Sequence, residues 1–145
     1  MKEANIDINN GNVLLDGGVT LSYNMQADVL LGMGVVILKD TLLDNGARWI
    51  RTGQYKLFDQ TVDLILHFST NHELSSIVFS IWGINIGRSP IEGKKIQDQI
   101  LFKQFGNPQV QTEHANGYNF SWGRIGSALN HWFNDDPHIF IKWDN

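Results

Sequence analysis

Residues 61–83, TVDLILHFSTNHELSSIVFSIWG, alternate twice. In the first run Val62, Leu64, Leu66 and Phe68 fall on one side of an extended chain, because successive side chains point to opposite faces. Thr61, Asp63, Ile65 and His67 take the other side. In the second run Ile77, Phe79 and Ile81 oppose Val78, Ser80 and Trp82. The polar STNHE between the runs supplies turn chemistry, so the spacing predicts an antiparallel hairpin.

Working outward, NNGN, DGG and DNG mark turns near residues 9–12, 16–18 and 44–46. Val13–Leu15 and Val19–Ser22 read as short strands. Leu30–Leu38 reads as a further strand, with Gly32 and Gly34 at a bulge or a close backbone approach. Downstream, IEGKKIQDQILFKQFGNPQ (91–109) changes period. Ile96 and Ile100 are four apart, Leu101 and Phe105 likewise, and Phe102 lies three before Phe105. This predicts an amphipathic helix of about three turns, capped by Gly106 with Pro108 beyond it. Tyr118, Phe120 and Trp122 alternate again and predict strand through about Leu129. HIFIKW (138–143) predicts the last strand, with Ile139, Ile141 and Trp143 together. The expected fold is α+β, a single domain over residues 1–145. It is mainly an antiparallel sheet of about seven strands, with one principal amphipathic helix packed on it.

A chain of 145 residues suits one domain. The absence of cysteine excludes disulfides, thiolate zinc sites and cysteine nucleophiles. A net charge of −4, with Lys94-Lys95 as the densest basic site, argues against nucleic-acid binding and fits a basic protein partner. The most apolar run, Val29–Leu38, is about half the length a spanning helix needs. The polar start MKEANIDINNGN carries no apolar signal region. The expectation is a cytoplasmic protein that does not engage a membrane.

Candidate chemistry is sparse. Tyr118, Trp122 and Trp132 would make a stacking platform if exposed, and core scaffolding if packed. His131, Asp135, Asp136 and His138 share one loop, but no H-x-x-x-H spacing accompanies them, and a turn is the simpler reading. There is no G-x-S-x-G elbow, and the GMG at 32–34 lacks the third glycine of a dinucleotide loop. Glu73, Glu92 and Glu113 fall in turns or at the helix start, which does not suggest a paired acid and base. No catalytic residue, metal or cofactor is therefore expected. The charged positions left over as partner contacts are Asp59, Asp63, Glu73, Glu113, Arg124, Asp135 and Asp136.

Three stretches in order carry a resemblance: YKLFDQTVDLILHFSTNHELSSIVFSIWG, the helix exit FGNPQ, and YNFSWGRIGSALNHWFNDDPHIFIKW. The succession resembles that of immunity proteins of bacterial toxin systems, including contact-dependent growth inhibition. The resemblance implies a small cytosolic protein that binds the C-terminal domain of a cognate toxin and blocks it. The toxin in such systems is often a nuclease and often basic. The alternative is a β-rich module binding a small molecule or carbohydrate through Trp122 and Trp132.

Overall fold

The computed structural model describes residues 1–130 and 136–144. The chain opens with β1 (Ala4–Ile6), β2 (Val13–Leu15) and β3 (Val19–Leu21), an antiparallel sheet in that order. Helix α1 (Ala27–Leu31) follows, then β4 (Ile37–Leu42), β5 (Arg48–Leu57), β6 (Gln60–Phe68) and β7 (Leu74–Ile81). Helix α2 (Pro90–Phe105) leads to β8 (Val110–Gln111), β9 (Ala115–Phe120), β10 (Gly123–Asn130) and β11 (Asp136–Trp143). The large sheet has eight strands in the order β4-β5-β6-β7-β11-β10-β9-β8, every pairing antiparallel. It consists of two meanders joined where β7 meets β11, with α2 as the crossover between them.

The α+β class, the antiparallel sheet and the principal helix are as the sequence led us to expect. The described residues form eleven strands instead of about seven, because the sequence reading passes over β1, β5 and β8 and takes residues 118–129 as one strand, whereas a tight turn at Ser121-Trp122 ends β9 at Phe120 and starts β10 at Gly123. Residues 30–38 correct a second expectation. They hold the end of α1 and the start of β4, not one strand. An apolar run with two glycines fits either state, and here Gly32 closes a short helix by donating to the carbonyls of Asp28 and Val29.

The hairpin of β6 and β7 pairs Val62 with Ile81, Leu64 with Phe79 and Leu66 with Ile77. These residues and Phe68 are buried. Each such side chain contributes about 1.5–3 kcal/mol by leaving water. The same face continues through Ile139, Ile141 and Trp143 on β11 and Ile125 on β10. Helix α2 lies on it, and Gln97 Nε2 reaches the buried Ser127 hydroxyl at 3.2 Å. The N-terminal layer covers the rest of this face. Tyr23 packs against Trp143, and Trp122 Nε1 donates to the Ile8 carbonyl at 2.8 Å. Gly11 (φ +78°) sits so close that an added Cβ would meet the rings of Trp122 and Trp143.

Helix α2 starts where its chemistry dictates. The Ser89 hydroxyl accepts from Glu92 N–H at 3.2 Å and donates to Glu92 Oε1, with Pro90 next in sequence. Its inward face is more polar than its spacing implies: Gly93, Lys94, Gln97 and Leu101 are buried, whereas Phe102 is exposed. Lys94 Nζ donates to Asp98 at 2.8 Å and to the Thr112 carbonyl at 3.1 Å, tying the helix to the β8–β9 turn. The two-residue turn between β5 and β6 places Phe58 and Asp59 at φ +51° and +61°. The Phe58 ring meets Phe105 edge-on at 5.9 Å, and this contact anchors the end of α2.

Candidate partner-binding surfaces

Tyr118 decides whether the ring-rich strand is a stacking platform or core scaffolding. It is 4% exposed, lies against Phe105 and donates its hydroxyl to the Gly106 carbonyl at 2.8 Å. It is scaffolding beneath the helix exit. Trp122 stacks on Phe120 at 5.1 Å while its indole N–H is held by Ile8. Trp132, His131 and Asp135 lie outside the described residues.

The sheet face away from α2 holds the polar chemistry. Alternation alone placed Asp63 toward solvent, and the structure corrects this: its side chain is 1% exposed. Asp63 Oδ2 accepts from Arg51 Nε at 2.9 Å and from Arg51 Nη2, and Oδ1 accepts from Trp82 Nε1 at 2.8 Å. The bulge between Arg51 and Gln54 on β5 brings Arg51 over Asp63. One buried carboxylate therefore fixes an arginine that is half-exposed and a tryptophan that is 56% exposed. Neither Arg51 nor Trp82 was singled out in the sequence, where β5 lacks a strict alternation.

Farther along the same face His67 stacks on Trp49 with ring centroids 4.6 Å apart. Burial, and to a lesser extent the neighbouring His138 ring, pushes the His67 imidazole down to about 4. His138 is also lowered by burial, opposed by its hydrogen bond to the Asp136 carbonyl and by the Asp136 carboxylate. That bond, 3.3 Å long, puts the neutral ring's proton on Nδ1 because a carbonyl only accepts. Both rings are therefore uncharged at neutral pH.

The remaining predicted contacts do not converge. Asp59, Glu113 and Asp136 belong to the end of the sheet where β6 and β11 begin, Asp59 and Glu113 on separate connections and Asp136 at the first position of β11. Glu73 and Arg124 belong to the opposite end. Asp59 is exposed, lies 3.9 Å from Lys56, and borders an open groove of about 480 Å³ shared with Glu3 and Phe105. Asp136 accepts from Asn85 Nδ2 at 3.0 Å. Among the described residues no three histidine or acidic groups are arranged to hold a metal ion.

A third surface escaped the sequence reading because it depends on sheet order. β4 is an edge strand of six residues, bulged at Leu38. Leu38 and Leu42 on it are 57% and 67% exposed, and Val36 immediately before it is 61% exposed. Val29, Leu31 and Met33, on and after α1 and just before β4 in sequence, are exposed as well. Clustered exposed apolar residues mark interaction sites, and an unpaired strand edge offers main-chain hydrogen bonds to a partner. No helix among the described residues is long and apolar enough to cross a membrane. Comparison with protein-family models, curated proteins and solved structures finds no match to this chain.

Proposed function

We propose that this chain acts by occupying another protein, as an immunity protein that neutralises a cognate toxin domain. The observation that carries the reading is the run of exposed apolar residues leading from α1 into the edge strand β4, a ribbon of Val29, Leu31, Met33, Val36, Leu38 and Leu42. Leaving six apolar side chains in water near an open strand edge is costly and aggregation-prone unless a partner covers them. The toxin domain would add a strand to β4 and lay apolar side chains on the ribbon. The packing of Tyr118 under α2 weighs against the alternative carbohydrate-binding reading.

Co-expression with the toxin domain encoded beside this chain tests the proposal. A co-purifying complex and restored growth are expected. The Leu38→Lys, Leu42→Lys double variant should lose both while melting within a degree or two of the parent, because both positions are exposed. Absence of complex and of protection with the parent chain would overturn the reading.

A further inference from the structure

The chain as a whole is acidic, yet the outer face of its large sheet is basic. Lys39 on β4 lies directly opposite Arg51 on β5, and Arg124 on β10 lies directly opposite Lys142 on β11. Arg51, Arg124 and Lys142 point away from α2, because their strand neighbours Ile50, Ile125 and Ile141 are buried in the core, and Lys39 is exposed and level with Arg51 across the ladder. Like charges directly across an antiparallel ladder destabilise it. Asp63 compensates Arg51, but Lys39, Arg124 and Lys142 have no carboxylate within bridging distance among the described residues. Two independent cation pairs on one face of a chain with net charge −4 are what a surface built for anions requires.

Register fixes their spacing. Arg51 is level with Ile65, Ile65 with Val78, and Val78 with Phe140, two residues before Lys142. The two pairs therefore lie three strands apart, about 14 Å across and about 7 Å along the strands. Phe140 lays its ring over Gly126 between β11 and β10, and the strands between the pairs are uncharged at this level. At the first pair, Asp63 holds Arg51 through Nε and Nη2, leaving Nη1 outside that ion pair, and the same carboxylate accepts from the exposed Trp82.

We propose that this face is a second interaction surface, which takes an acidic segment of a partner protein carrying two carboxylate clusters about 16 Å apart. One cluster sits on Lys39 and Arg51, with an apolar contact on Trp82; the other sits on Arg124 and Lys142. Carboxylates fit better than phosphates, because two isolated pairs on an acidic protein cannot supply the run of contacts that nucleic-acid affinity needs. The surface is independent of the β4 edge and does not rest on the toxin reading.

The probe is a synthetic peptide, Glu-Glu-Thr-Ser-Thr-Glu-Glu, whose extended length matches the spacing. It is titrated into ¹⁵N-labelled protein alongside a version with lysine for glutamate and a twelve-residue oligothymidylate. Saturable shifts are expected at the amides of Lys39, Arg51, Arg124 and Lys142 and at the Trp82 indole, with the glutamate peptide alone. Lys142→Glu should weaken binding at least tenfold and raise the melting temperature, since it turns a repulsive pair into an attractive one. Tighter binding of the oligonucleotide, no shifts with the glutamate peptide, or unchanged binding by Lys142→Glu would each overturn the proposal.

Discussion

Lowering the pH from 7.5 to 5 is expected to cost the fold about 2 kcal/mol through His67 alone. Burial holds this ring at about 4 in the folded chain. In the unfolded chain it titrates at about 6.5. Between those values the unfolded state binds the extra proton, so stability rises with pH across the window. The contribution is complete above about pH 7 and drains away as pH falls through 6.5 toward 4, at up to about 1.4 kcal/mol per pH unit. His138, lowered by burial, acts in the same direction. Asp40, held low mainly by its hydrogen bond from Arg48, adds its own loss only below the carboxylate range and leaves the window clear. Urea unfolding at pH 7.5, 6.5, 5.5 and 5.0 reads the effect. With a slope of about 2 kcal/mol/M, the midpoint should fall by about 1 M. His67→Gln should remove most of that dependence whatever its own stability, and the residue left should follow His138. A His67 ring that titrates above pH 6 by NMR, or a variant with the parent's pH slope, would refute the reasoning.

Asp63→Ala removes the acceptor shared by Arg51 and Trp82. The expected loss is about 2 kcal/mol rather than the 3–5 of a fully buried pair, because both donors are half in water and rehydrate. A double-mutant cycle with Arg51→Ala should return a coupling of about 1 kcal/mol, and a coupling near zero would show the pair to be passive. Gly126→Val should cost about 2–4 kcal/mol in urea unfolding, since a Cβ there would meet the Phe140 ring and the Asn116 carbonyl. Gly126→Val as stable as the parent would mean that the ring moves aside freely.

How much of this was legible in the chain differs by element. The β6–β7 hairpin was readable because period-two alternation over eight or nine residues has no helical equivalent. Helix α2 was readable from its spacing and its Gly106 exit, although Lys94 and Gln97 turn inward against their type. Residues 30–38 were misread because composition without period does not separate a five-residue helix from a strand. Asp63 was misplaced for a deeper reason. Alternation assigns a face but not its cover, and Arg51 and Trp82 reach Asp63 from 12 and 19 residues away in sequence. The apolar ribbon at β4 and the two cation pairs share that property. Each exists only once sheet order and register are known.

The sheet order has a consequence for synthesis. β11 follows every other strand in sequence, yet it sits between β7 and β10. A ribosome paused after β10 holds two half-sheets with nothing to join them, each showing a bare edge. The molecule therefore closes like a zip fastener whose slider is fitted last. Until that strand emerges, the facing edges of β7 and β10 have no strand between them.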